Sequence, residues 1–129
     1  MKNTVLFAVN GTLMRGFSLE KNMKNTGARF VREDTTAPVY RLWSIRDEHP
    51  AMIRVGKGES GVAVALEIWE VPDAGLVTIL LGEPEGLAIG KVLLQGGESV
   101  LGVIAEPELV KGQKEISAYG GWREYLSVK

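Results

Sequence analysis

Residues 38–45, Pro38-Val39-Tyr40-Arg41-Leu42-Trp43-Ser44-Ile45, alternate with a period of two, so Val39, Arg41, Trp43 and Ile45 share one side and Tyr40, Leu42 and Ser44 the other. Both sides carry apolar bulk. That suits a strand in a sheet curled until both faces are covered, as in a small barrel. The rest of the chain fits the same pattern, with strands predicted over residues 4–9, 28–32, 52–55, 61–71, 89–95 and 99–105. Gly96-Gly97-Glu98 joins the last two as a hairpin turn. Helices are few and short: residues 19–25, stopped by Gly27; residues 72–81, opened by Pro72 and closed by Gly82; a turn at Glu106-Pro107; and a tail helix over residues 120–126. About seven strands against two or three short helices, without βαβ alternation, predict one α+β domain over residues 1–129. The expected architecture is a small closed or nearly closed, mostly antiparallel β-barrel with peripheral helices.

Composition excludes several functions. A net charge of -1 lacks the excess of Lys and Arg that a phosphate-tracking surface needs, so no nucleic-acid partner is expected. Cysteine is absent, and with it disulfides, thiol catalysis and thiolate metal sites. The single histidine, His49, cannot build a site with two or three imidazole ligands, and no acidic calcium loop appears, so neither metal nor cofactor is expected. His49 lies in Asp47-Glu48-His49-Pro50, which reads as a solvated loop running into proline. The N-terminus has one lysine, Lys2, and a six-residue apolar run, too short for a signal-peptide core or a membrane span. No membrane association and a cytoplasmic location are the expectation.

The first predicted strand breaks directly into Asn10-Gly11-Thr12-Leu13-Met14-Arg15-Gly16. Two glycines, two small polar side chains and one arginine at a strand end present backbone N–H groups able to hold a carboxylate; the alternative is an ordinary turn. The loop has neither the lysine of a P-loop nor the glycine spacing of a dinucleotide fingerprint.

These residues carry a family resemblance over nearly the whole chain. Asn10 to Gly16 resembles the Tyr-Gly-Ser/Thr-Leu loop of the gamma-glutamylcyclotransferase-like superfamily, with Asn10 in place of tyrosine, and His49-Pro50-Ala51-Met52 and Glu67-Ile68-Trp69-Glu70-Val71 resemble its later segments. The allophanate hydrolase C-terminal domain is more similar still, through Thr36-Ala37-Pro38-Val39-Tyr40-Arg41-Leu42, Leu87-Ala88-Ile89-Gly90 and above all Ser117-Ala118-Tyr119-Gly120-Gly121-Trp122-Arg123-Glu124-Tyr125-Leu126. The resemblance implies a β-barrel with a pocket at the first loop. Allophanate hydrolase carries an amidase module that 129 residues cannot also contain, so a stand-alone relative is expected, with a separate amidase subunit as a candidate partner.

The resemblance also singles out Glu85, in Leu81-Gly82-Glu83-Pro84-Glu85-Gly86, as the acid and base that cyclotransferase-like proteins place after this helix. There a single carboxylate takes a proton from the attacking amine and returns one to the departing amine, which a partly apolar pocket favours by raising its pKa. Gly11, Thr12 and Leu13 would cradle an anion beside it. Glu83 and Glu85 read equally well as solvated loop charges. The histidine that allophanate hydrolase domains carry in the first loop corresponds to Thr12, which cannot replace imidazole in proton transfer. Arg15 and Arg41 are candidate carboxylate clamps or solvated charges, and Tyr119 a pocket wall or a hydrophobic plug. Glu67 and Glu70 fall on opposite faces of one strand and form no dyad. Two functions follow. One is a small-molecule enzyme acting on a carboxylate-bearing amide or carbamate through Glu85 and the Asn10 to Leu13 cradle, with Arg15, Arg41 and Tyr119 as further binding residues. The other is a non-catalytic ligand-binding or amidase-docking module, the one left standing if Glu85 lies in bulk solvent. The oligomeric state is not legible.

Overall fold

Strand β1 (Thr4–Val9) lies in the middle of a five-stranded sheet, and Phe7, Ala8 and Val9 at its end are all buried. The computed structural model describes residues 3–129; Lys2 lies outside them. The sheet also holds β2 (Arg29–Thr35), β5 (Ala65–Pro72), β6 (Leu87–Leu93) and β7 (Ser99–Ala105), in the order β2-β5-β1-β7-β6. All neighbours are antiparallel except β1 and β7, which run parallel with Ala8 opposite Gly102. A Cβ at Gly102 would stand 2.7 Å from Val92 Cγ2 and 3.0 Å from Ala8 Cβ, so glycine is what lets the two strands approach. A second sheet sets β3 (Tyr40–Ile45) between β4 (His49–Arg54) and β8 (Lys114–Glu115).

The α+β class is thus observed, with eight strands and three short helices among the described residues: α1 (Glu20–Lys24), α2 (Gly75–Leu81) and α3 (Trp122–Val128). The two sheets stay separate and do not close into a barrel. They are joined instead by the Tyr40 hydroxyl of β3, which accepts from Leu93 N–H of β6 at 2.9 Å. The alternation in β3 works as expected, since Tyr40 and Leu42 enter the main core while Trp43 packs on a smaller cluster around Ile45, Ala51 and Ala105.

Boundaries differ where chain geometry overrides pattern. Gly61 lies against the Val39–Tyr40 backbone, 2.8 Å from an added Cβ, which takes residues 61–64 off the ladder so that β5 begins at Ala65. Pro72 ends β5 opposite Thr4 and does not open α2, which starts at Gly75. Strand β4 begins three residues earlier than expected, because Pro50 is accommodated on the edge of its sheet where no N–H is required.

The β3–β4 hairpin turns on Arg46 and Asp47, both left-handed (φ 53° and 58°), with Glu48 N–H donating to Ile45 O at 2.9 Å. Such turns favour Asn-Gly, and a non-glycine residue there costs on the order of 1 kcal/mol. Asp47 offsets this through its carboxylate, which accepts from Ser44 Oγ at 2.6 Å and from the Tyr125 hydroxyl on α3 at 2.8 Å. Those two hydrogen bonds hold its pKa down at about 2, from an ordinary 3.8. A lowered carboxylate pKa adds stability that is present above the unfolded value and disappears as pH falls through the folded one. Tyr125→Phe is therefore expected to lower Tm at pH 5, with the gap from wild type narrowing as thermal melts are taken down to pH 2. A gap independent of pH would assign Tyr125 a packing role alone.

Candidate functional site

Three segments meet at the end of β1. Val9 runs into the loop Asn10 to Leu13, the start of β4 brings His49 and Pro50, and the segment after α2 brings Glu83. Together with Leu87 and Val103 they line a narrow cleft of about 10 Å³, room for about one water molecule, that opens to solvent at its mouth. Contact between loop and β4 is direct, because a Cβ on Gly11 would stand 2.5 Å from Pro50 Cδ. Asn10 is buried, and its Nδ2 donates to Val103 O at 3.1 Å, fixing the strand end to β7. The loop folds back through Met14 N–H to Gly11 O (3.0 Å) and Leu19 N–H to Thr12 O (2.9 Å). In that arrangement the N–H groups of Gly11, Thr12 and Leu13 find no acceptor among the described residues.

Glu83 is the acid of this cleft. It follows the C-cap Gly82, and its Oε1 is buried without any hydrogen-bond partner. Burial pushes its pKa up to about 7 from an ordinary 4.5. Among the described residues that line the cleft none is Lys or Arg, and desolvation disfavours the charged form.

Glu85, the residue singled out from sequence, does not share this cleft. It is exposed and lines a separate shallow depression with Glu106, Glu108 and Lys111. The cause is a turn, Pro84 to Leu87, closed by Leu87 N–H to Pro84 O at 3.4 Å with Gly86 at φ +90°. Glycine with positive φ at the third position marks a type II turn, which sets Glu85 at its apex and Glu83 ahead of it. Two residues decide which glutamate enters.

Of the other candidates, Asn10, Gly11, Thr12 and Leu13 line the cleft, while Arg15, Arg41 and Tyr119 do not. Arg15 is committed to Glu67, with Nε donating to Oε2 at 3.1 Å, and stacks 3.6 Å over the Phe30 ring. Arg41 donates to Ser60 O at 2.9 Å and to Glu115 Oε2 at 2.6 Å on the second sheet. Tyr119 is 41% exposed and packs edge-on against Tyr125. Trp122 is buried in the main core. Glu70 pairs with Arg29 and Glu67 with Arg15, on opposite faces of β5.

His49 corrects the expectation of a solvated loop histidine. It is only 5% exposed, opens β4 opposite Ile45, and is among the residues that line the cleft. Pro50 hides it in the sequence, because proline after a polar run marks a loop, whereas here it stands in an edge strand. Among the described residues no group of three or more His, Cys, Asp or Glu could hold a metal ion, and no helix is long and apolar enough to cross a membrane.

Comparison with known proteins now gives the kinship. The model of the allophanate hydrolase C-terminal domain matches residues 5–127, and the chain belongs to that family. A urea amidolyase of Lachancea kluyveri is 30% identical over 131 residues, covering 97% of this chain and 7% of that protein. The chain thus spans only a small part of such curated relatives. A uropathogenic E. coli-specific protein of known structure is 54% identical, with a TM-score of 0.94 and 97% of each chain covered. Kluyveromyces lactis allophanate hydrolase is 27% identical with a TM-score of 0.90, matched over 97% of this chain and 21% of that one. An AIG2-like protein of Mus musculus, 22% identical with 84% and 83% of the two chains covered, shares the fold at a TM-score of 0.59.

Two stability effects follow from the geometry. A raised carboxyl pKa adds stability that is complete below the unfolded value of 4.5 and is lost as pH rises through about 7. Glu83→Gln is therefore expected to match wild type at pH 4 and exceed it at pH 8 by on the order of 2 kcal/mol, allowing for residual solvent contact. Urea melts at the two pH values check this, and equal stabilities at pH 8 would contradict the burial of its charge. Gly11→Ala is expected to cost roughly 1–3 kcal/mol by driving a methyl into Pro50, measured in the same melts.

Proposed function

We propose that this chain is a small-molecule enzyme acting on a carboxylate-bearing amide or carbamate, with Glu83 as acid and base and the Asn10 to Leu13 loop as anion cradle. One observation carries the reading: a desolvated carboxyl with its pKa moved to about 7 lines the same narrow cleft as Gly11, Thr12 and Leu13, whose backbone N–H groups have no acceptor among the described residues. A group half-protonated near neutral pH can both take and give a proton there. Breaking an amide or carbamate C–N bond needs both events, a proton removed from the nucleophile and a proton delivered to the departing nitrogen. The loop N–H groups supply hydrogen bonds to the oxygen on which negative charge gathers. Membership of a family named for part of allophanate hydrolase supports this substrate class.

A second reading, docking to a separate amidase, is supported by relatives in which the matching segment is 21% or less of a larger chain. The two separate on substitution. Across a panel of small carboxylate-bearing amides and carbamates, assayed for released amine, Glu83→Gln is expected to lose turnover by about 10²-fold or more, with Glu85→Gln within a few-fold of wild type. Turnover that survives Glu83→Gln removes the acid/base role and leaves the docking module.

A further inference from the structure

We propose that His49 determines ligand specificity in the cleft, its Nε2 accepting a hydrogen bond from an N–H or O–H of the bound molecule while the first-loop amides donate to an oxygen of that molecule. The inference rests on the cleft being a ligand site, as proposed above. The tautomer follows from the partner: His49 Nδ1 lies 3.0 Å from Pro50 O, and a carbonyl can only accept, so Nδ1 carries the proton. A neutral ring then leaves Nε2 as a bare acceptor. Glu83 Oε1 and Trp122 Nε1 are the sealed, unpartnered side-chain polar atoms among the described residues. Nε2 likewise has no partner among the described residues, yet it is not sealed, and His49 is a lining residue of the cleft. The unpaired groups of the first loop are donors and Glu83 brings an unpartnered carboxyl oxygen to the same cleft, so His49 adds a second, uncharged acceptor on the opposite strand. A ligand end bearing hydrogen satisfies Nε2; a carboxylate end leaves it facing another acceptor. The position of the ring is held from outside the cleft, since the strained Arg46–Asp47 turn immediately precedes β4 and Tyr125 fastens it.

The protein has one histidine, so a long-range ¹⁵N–¹H correlation spectrum contains a single imidazole. At pH 8 the wild-type spectrum is expected to show Nδ1 protonated and Nε2 bare; a protonated Nε2 overturns the proposal without any variant. Acetamide and acetate are then titrated at pH 7 into wild type and His49→Phe, following the amides of Gly11, Thr12 and Leu13. The expected result is that His49→Phe weakens acetamide about tenfold and leaves acetate within about twofold. Equal acetamide affinity in the two proteins overturns the role of His49 while leaving the cleft as a ligand site. If neither probe moves the loop amides of wild type, the reading of the cleft as a ligand site fails, and this inference with it.

Discussion

Glu67 is the charge around which the site is assembled. Only 2% exposed, it accepts from Arg15 N–H at 3.0 Å, Arg15 Nε at 3.1 Å, Trp69 Nε1 at 3.1 Å and Arg123 Nη2 at 3.2 Å. A buried carboxylate without partners would cost several kcal/mol, so the fold must bring all of these donors to it. In doing so it joins three distant stretches: the end of the first loop, the middle of β5, and the first turn of α3. Arg123 adds a second tie, donating to Arg15 O at 3.0 Å. The first loop is thereby anchored at both ends, by Asn10 on Val103 and by Arg15 on Glu67. The side chains at its two ends thus hold the loop backbone in place.

The opposite treatment of two glutamates, Glu67 buried and Glu83 half-buried, separates two kinds of carboxyl in this fold. Glu67 has four donor contacts from three residues, whereas Glu83 Oε1 has none. An acid held in that condition destabilises the folded chain at neutral pH, and such strain is tolerated where function uses it. The β3–β4 turn is a second strained element, fastened by Tyr125 and Lys129 of the C-terminal segment. Helix α3 is thus tied to the β3–β4 turn through Asp47, and the first loop lines the cleft directly.

Much of this was legible in the sequence, for identifiable reasons. The alternation in residues 38–45 and the hairpin at Gly96-Gly97 are local patterns, and the strands formed where they indicate. The tail around Gly120-Gly121-Trp122-Arg123 is specific enough to indicate kinship, which the family match over residues 5–127 shows. The first loop was visible as a strand end rich in glycine. Misreadings arose where a proline or glycine had two local meanings. Pro50 belongs to an edge strand, not a loop, which concealed His49. Gly86 takes a left-handed turn position, which sends Glu85 outward and leaves Glu83 at the cleft.

The sequence by itself determined the class of fold, the family and the donor-rich first loop, because periodicity, turn residues and short motifs act over a few neighbouring residues. Tertiary structure alone decided which side chains share the cleft. Whether a carboxylate is paired like Glu67 or stranded like Glu83, and whether Arg15 and Arg41 are free or already bound, depends on partners roughly twenty to seventy positions away. Desolvation, too, is a property of what surrounds a group in space, and no local stretch of chain encodes it.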